Sequence, residues 1–380
     1  MIFILRRNVI SMINEFYEKL AKIAVNYSLH IKKGQRAFIT GPALAKELFQ
    51  AMYIEILKAG GHPFLLPQIE GVAELYYTYA SEEQLLYVDK VQKMVVKEFD
   101  HYIVILGDYN TRKLSQINPE IISKAQGSPD RRELFEMLEE RMSKKELGYL
   151  VIPCPSNSLA QEANMDLFSY INFIKKALFL EKEDPIEEWN KLKKRQEEII
   201  EHLNRIKEIH VIGEDTNLTF SVEGRTWKNS SGNLNLPDGE VYTSPHEDSA
   251  NGYIRFTYPG IFQGREIENI FLRFKEGKVI EAKAEKGEDL LQEILKIENA
   301  NRIGEFAVGN NYGITKFTKN VLFDEKIGGT LHFALGLGFI ECGSENKSAI
   351  HWDILKDMKL SGSKILADGK VIYEEGQWKI

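Results

Sequence analysis

The sequence is short of cysteine, with only Cys154 and Cys342 in 380 residues, far apart and in no Cys-x-x-Cys pair. That scarcity argues against a disulfide framework and a thiolate zinc site, and it fits a reducing compartment. Long apolar runs are missing too: no stretch approaches the ~20 residues of a membrane span. The opening Met1-Ile-Phe-Ile-Leu5, with Arg6 and Arg7 after it, is too short and wrongly flanked for a signal-peptide core. Met12 opens a better helix, so the first eleven residues read as an untidy or misassigned start. The expected location is the cytoplasm. Basic runs never exceed three residues and the net charge is −7, which leaves no electrostatic track for nucleic acid. Nucleotide signatures are lacking as well. Gly336-Leu-Gly338 has neither the third glycine nor the helix of a dinucleotide fingerprint, and Gly41-Pro42 has no following Gly-Lys-Ser/Thr. Gly309-Asn-Asn311 is too short to cradle a phosphate, and turn geometry accounts for all three.

What is present fits a soluble enzyme of two domains: 43% hydrophobic and 28% charged residues over a length that exceeds one ordinary core. Apolar spacing predicts a helix over 12–26, a strand at Ala37–Thr40, a helix over 43–59 and a returning strand at Pro63–Leu66. Buried-strand patterns recur at Tyr102–Leu106 and Tyr149–Ile152, so the N-terminal half reads as an open, mostly parallel α/β sheet. Asp184-Pro185 starts a helix expected to run to about Lys207. Beyond it, short alternating strands dominate 208–285, with helical signal near 287–297. The expected division is an α/β domain over 1–195 and a more β-rich catalytic domain over 196–380.

The C-terminal half holds the chemistry. His332 and His351 sit in runs otherwise made of small and apolar residues. In an extended strand His351 and Asp353 share a face, with Trp352 on the other. Imidazole beside carboxylate suits zinc, cobalt or manganese; taken alone, a buried histidine bonded to its neighbour is the plainer reading. Glu240 and Glu305 each follow a glycine and open an apolar β-like run, where a carboxylate is costly unless something pairs with it. The alternative for each is a solvated turn at the sheet rim. Grouped together, three carboxylates and two neutral imidazoles are balanced by two divalent cations sharing one ionised water, the composition of a hydrolytic two-metal site.

At these residues the sequence resembles the aminopeptidase T / aminopeptidase S family of thermophilic-type metalloaminopeptidases. The matching segments are Asn235-Leu-Pro-Asp-Gly-Glu-Val-Tyr-Thr-Ser-Pro245, Ile303-Gly-Glu-Phe-Ala-Val-Gly-Asn310, Phe323-Asp-Glu-Lys-Ile-Gly-Gly-Thr-Leu-His-Phe-Ala-Leu-Gly336 and Asn346-Lys-Ser-Ala-Ile-His-Trp-Asp353. Ile31 to Pro63 and Ser158 to Met165 extend the likeness into the N-terminal half, while 147–156 is shorter and more divergent. The resemblance implies two α/β-type domains, a homodimer, two divalent metal ions and removal of N-terminal residues from peptides. It carries over Glu240, Glu305, His332, His351 and Asp353 as metal ligands, with Glu305 as the bridge and a catalytic residue. One departure stands out. The family's tyrosine, seven residues after the first histidine, is thought to stabilise the tetrahedral intermediate, and here it is Phe339. Tyr312 or Tyr253 could replace its hydroxyl. Glu325 and Glu341 are spare carboxylates, the former a natural ion pair for Lys326. A metal-dependent amidohydrolase acting on a non-peptide amide is the rival enzyme, and a metal-binding relative without turnover is the non-enzyme alternative.

Overall fold

The computed structural model describes residues 14–380; the expected untidy start and the opening residues of the first helix lie outside them. Among the described residues no helix is long and apolar enough to cross a membrane. The chain divides into two compact units, one through Ile186 with 232–236, the other 187–231 with 237–380.

The first unit begins with helix α1 (Glu15–Lys22), capped by the Asn14 side chain and burying Phe16, Leu20 and Ala21; it continues as a π-helical stretch, Ile23–Ser28. Strands β1 (Arg36–Pro42), β2 (His62–Gln68), β3 (His101–Leu106) and β4 (Gly148–Pro153) form an all-parallel sheet in the order β2-β1-β3-β4. Helix α2 (Lys46–Lys58) makes the crossover from β1 to β2. A three-residue 3₁₀ turn at Ala43–Ala45 precedes it, so the α-helix proper starts later than its apolar spacing predicts. Parallel strands need such crossovers, which is why this half alternates strand and helix in sequence.

Helix α3 (Pro185–Leu203) starts where Asp184 accepts the Ile186 N–H at 3.0 Å, with proline in the first turn. It ends at Leu203, about a turn short of the expected Lys207. The second unit is antiparallel. One sheet has eight strands in the order β13-β12-β9-β6-β5-β17-β18-β19. These are β5 (Glu208–Gly213), β6 (Thr216–Ser221), β9 (Asn251–Arg255), β12 (Phe271–Lys275), β13 (Lys278–Lys283), β17 (Lys364–Ala367), β18 (Lys370–Glu374) and β19 (Gln377–Trp378). The other has five, in the order β16-β15-β14-β8-β7: β7 (Lys228–Ser230), β8 (Glu240–Thr243), β14 (Ile303–Gly309), β15 (Thr330–Gly336) and β16 (His351–Asp357). A small hairpin pairs β10 (Gly260–Phe262) with β11 (Arg265–Ile267).

The hydrophobic core lies on one face of the five-stranded sheet. Val241, Phe306, Val308, Leu331, Phe333, Leu335, Trp352 and Ile354 pack there with Ile209, Val211, Leu218, Phe220, Ile254 and Leu272 of the eight-stranded sheet. Because strand side chains alternate, the other face receives what these residues leave: Glu240, Tyr242, Glu305, His332, His351 and Asp353. Small residues, Ala307, Ala334, Gly309 and Gly336, lie between them at paired positions and leave the polar side chains room.

Candidate metal centre

Glu305 reaches this face through a backbone irregularity. Ile303 pairs with Leu335 and Glu305 with Ala334, so two steps on β14 match one on β15 and a bulge falls at Gly304. Without it Glu305 would share a face with Ile303 and point into the core; the extra residue turns it toward the histidines, as bulges beside functional sites do. Only glycine fits at 304, since an added Cβ would lie 2.2 Å from the Leu337 carbonyl oxygen and 2.5 Å from that of Gly336. Glu240 is fixed from behind. Gln196 on α3 donates from Nε2 to the Glu240 carbonyl at 3.0 Å and to the Ser230 carbonyl at 2.9 Å, clamping β8 against β7.

The five side chains converge. His332 is fully buried, and its Nε2 lies 3.6 Å from Glu240 Oε2, 3.8 Å from Glu305 Oε2 and 3.9 Å from Asp353 Oδ1. His351 Nε2 is 3.0 Å from Glu305 Oε2 and 3.5 Å from Asp353 Oδ1. The other ring nitrogen of His351 contacts the Leu337 carbonyl at 2.8 Å. A carbonyl only accepts, so Nδ1 carries the proton and Nε2 is turned toward the carboxylates, the usual arrangement behind a metal-bound imidazole.

Electrostatics mark the place as one built for a cation. Burial alone would lower the histidine pKa values. At His332 the nearby carboxylate of Glu305, with the charges of Glu240 and Asp353, outweighs it and lifts the value to about 9. At His351 the charge of Asp353, with the charge and hydrogen bond of Glu305, lifts it to about 12. Burial would raise Asp353, but the adjacent His351 charge brings it down to about 2. For Glu305, the close imidazole of His332 and the hydrogen bond with His351 likewise overcome burial, and its pKa is lowered. Glu240 goes the other way, to about 8, because burial exceeds the opposing charge of Lys326.

Glu240 Oε2, both ring nitrogens of His332 and Asp353 Oδ1 are buried with no hydrogen-bond partner. Leaving such groups unpaired costs on the order of 1–3 kcal/mol each. A cation between them removes that cost, so the residues fit a metal. Among the described residues, Glu305, His332 and Asp353 form a group able to hold one ion, their ligand atoms within 4.8 Å of one another.

Phe339 packs beside this group, its ring centroid 5.0 Å from that of His351, and its N–H donates to Ser244 Oγ at 3.0 Å. Neither expected substitute for the missing hydroxyl is on the site face. The Tyr312 hydroxyl donates to the Gly376 carbonyl at 2.7 Å, and Tyr253 lies on the eight-stranded sheet against Phe271. Glu341 is exposed on the short turn after Phe339. Two further residues that the sequence does not place there border the site. Tyr242 stands two positions after Glu240, so strand alternation puts it on the same face, and its ring meets that of Phe339 at 5.2 Å. Lys326, expected as an ion pair for Glu325, also reaches Glu240 Oε1 at 3.0 Å.

Two imidazoles and three carboxylates converge on one face of an antiparallel sheet, and three of these groups could hold a metal ion. The chain belongs to the Peptidase M29 family of thermophilic metalloproteases, whose family model matches residues 13–378. The chain is 26% identical to "Aminopeptidase 2" of Geobacillus stearothermophilus over 95% of its length and 97% of the relative's. It is 27% identical to "Aminopeptidase T" of Thermus thermophilus, over 85% of each. The solved "Wild-type AmpT from Thermus thermophilus" superposes with a TM-score of 0.84 at 23% identity, over 96% of this chain and 99% of that one. A 2,5-dihydroxypyridine dioxygenase from Pseudomonas putida KT2440 superposes at 0.56 with 11% identity, over 96% of each chain. A fold that accommodates both names does not decide the reaction; the site must.

Proposed function

We propose that the chain is a metal-dependent aminopeptidase that hydrolyses N-terminal residues from peptides. The observation that carries the reading is the convergence of Glu305, His332 and Asp353, with unpartnered buried donor atoms, in a chain similar over nearly its whole length to proteins named aminopeptidases. Glu305, His332, His351, Asp353 and Glu240 are the proposed ligands. Zinc, cobalt or manganese suits them, and five side chains are enough for two ions as well as for one. When bound, a divalent ion there supplies Lewis acidity toward the scissile carbonyl and acidifies a water.

The chain's own residues do the rest. The Leu337 carbonyl holds His351 in one orientation, and the carboxylates favour a substrate whose free α-amino group is cationic, which restricts cutting to the N-terminus. Tyr242 is the proposed hydroxyl in place of the one Phe339 lacks. Burial, then the charges of Cys342, Glu341, Glu305 and Glu240, push its pKa up, so it keeps its proton and can donate to a developing oxyanion.

The test is to strip the purified protein of metal, reload it with zinc, cobalt or manganese, and offer leucine and alanine arylamides. Turnover that chelator and Glu305→Gln both abolish is expected. Turnover of N-blocked or non-peptide amides alone would move the reading to the amidohydrolase. Metal uptake with no turnover would favour the binding relative, which Phe339 makes a real competitor. The proposal includes a homodimer, refuted by light scattering that finds the single 43.6 kDa chain. It also includes a cytoplasmic site, in keeping with two buried free cysteines and refuted by fractionation that recovers the chain outside the cytoplasm.

A further inference from the structure

The loop that joins β15 to β16 does more than connect them. It carries the Leu337 carbonyl that orients His351 and the Phe339 ring that packs on the same imidazole. The two arms of the loop are bonded to each other. Ser344 N–H donates to the Phe339 carbonyl at 3.1 Å, and Gly338 N–H donates to the Asn346 carbonyl at 3.0 Å. Where the second arm lies therefore decides where Leu337 and Phe339 lie.

Glu247 holds that second arm. Its Oε1 accepts from the Ser344 hydroxyl and from the Glu345 N–H, both at 2.8 Å. Its Oε2 accepts from Nη2 of the buried Arg225 at 2.6 Å. Burial would raise the carboxyl pKa, but backbone N–H groups, the Ser344 hydroxyl and the Arg225 charge hold it below the ordinary value. The Glu247 carbonyl accepts from Arg302 Nη1 at 2.7 Å, and Arg302 immediately precedes the strand that bears Glu305. Glu247 itself lies just beyond β8, the strand of Glu240 and Tyr242, and Ser244 between them accepts the Phe339 N–H. Three segments that lead to proposed ligands thus meet at one residue.

The junction has little slack. A Cβ at Gly338 would lie 2.1 Å from Ser344 Oγ, and one at Gly304 2.2 Å from the Leu337 carbonyl oxygen. In packing this close a displaced loop passes its shift on to its neighbours. The Leu337 carbonyl is among them, and the orientation of a ligating imidazole depends on the partner of its second nitrogen.

We propose that Glu247 is a positioning residue of the metal centre: its carboxylate pins the Leu337–Asn346 loop, so that the Leu337 carbonyl keeps His351 Nε2 turned toward the carboxylates. The inference rests on the metal-centre reading and adds to it a residue that acts through the loop and not on the ion.

Metal binding tests this without reference to turnover. Stripped wild type and Glu247→Ala are titrated with zinc against a chromophoric chelator, and with cobalt for the absorbance of the loaded centre. Glu247→Ala should bind zinc about tenfold more weakly, the lower end of the loss when an outer partner of a metal ligand is removed, and its cobalt spectrum should change. Glu247→Gln keeps an acceptor for Ser344 and Glu345 and should recover part of the affinity. An equal loss in both variants would assign the effect to the Arg225 pair instead of the loop and overturn the inference. A role confined to stability would lower the melting temperature of Glu247→Ala while zinc affinity and cobalt spectrum stay at wild-type values; that result also overturns it and leaves the metal centre standing. A wild type that takes up no zinc removes the centre itself. Should Glu247→Ala fail to fold, Ser344→Ala decides: it deletes one of the two loop bonds and should weaken zinc binding, and wild-type affinity there would refute the proposal.

Discussion

The Phe339–Tyr242 contact concentrates the question of catalysis in two rings. Tyr242 and His332 pair with the same residue, Ala307, from opposite sides, so the phenol and the imidazole face each other across a methyl group. If the hydroxyl has moved from one ring to its neighbour, Tyr242→Phe should lower kcat by about 10²–10³, the usual loss for one oxyanion donor, with metal content unchanged. Adding Phe339→Tyr to that variant should restore part of the rate. An unchanged kcat in Tyr242→Phe sinks the assignment. These residue-level features differ in how far the sequence discloses them. His351 and Asp353 are legible together because alternation alone fixes a two-residue relation. Lys326 is not, because its second partner, Glu240, lies on a strand far away in the chain and no local spacing connects them.

Strands do two jobs in the second unit. On β16, Trp352 and Ile354 enter the core while His351 and Asp353 face the metal site, and Lys356 follows on the core side. It is fully buried and donates to the carbonyls of Arg255 at 2.9 Å and Glu214 at 3.2 Å. Burial brings its pKa from an ordinary 10.5 down to about 8. Between about pH 8 and 10.5 the unfolded chain therefore binds more protons than the folded one, and stability rises with pH over that window. Below it the cost of burying the charge is fully present. Lys356→Met should be the more stable form at pH 7 and should lose the alkaline rise; parallel urea midpoints for the two proteins across pH 7–10 would refute this.

The bulge on β14 is the second case. Gly304→Ala has no space for its methyl group, so the bulge must shift and Glu305 with it. Zinc affinity should fall at least tenfold while far-UV circular dichroism stays native. Wild-type affinity in that variant would show that the bulge does not position Glu305. Periodicity reveals that β14 is a strand, and the parallel sheet of the first unit is readable for the same reason, from apolar runs between helical segments. It does not reveal a bulge, which is set by tertiary crowding against Leu337 and Gly336. The same limit explains the shorter α3 and the 3₁₀ turn before α2, whose ends depend on packing more than on propensity.

At the scale of the molecule, the family and the sheet architecture follow from collinear segments spread over almost the whole chain, whereas the ion count does not, because it depends on what lies between side chains. The alternating faces of the five-stranded sheet carry one more consequence. Four adjacent strands turn one face to the oily interior and the other to the candidate ion site, so the proposed ligands and the core share the same backbone. Chelation should be felt as a general loosening of the whole sheet, in which amides of Phe333 and Ile354 begin to exchange with solvent together, and heat tolerance and metal occupancy become a single property.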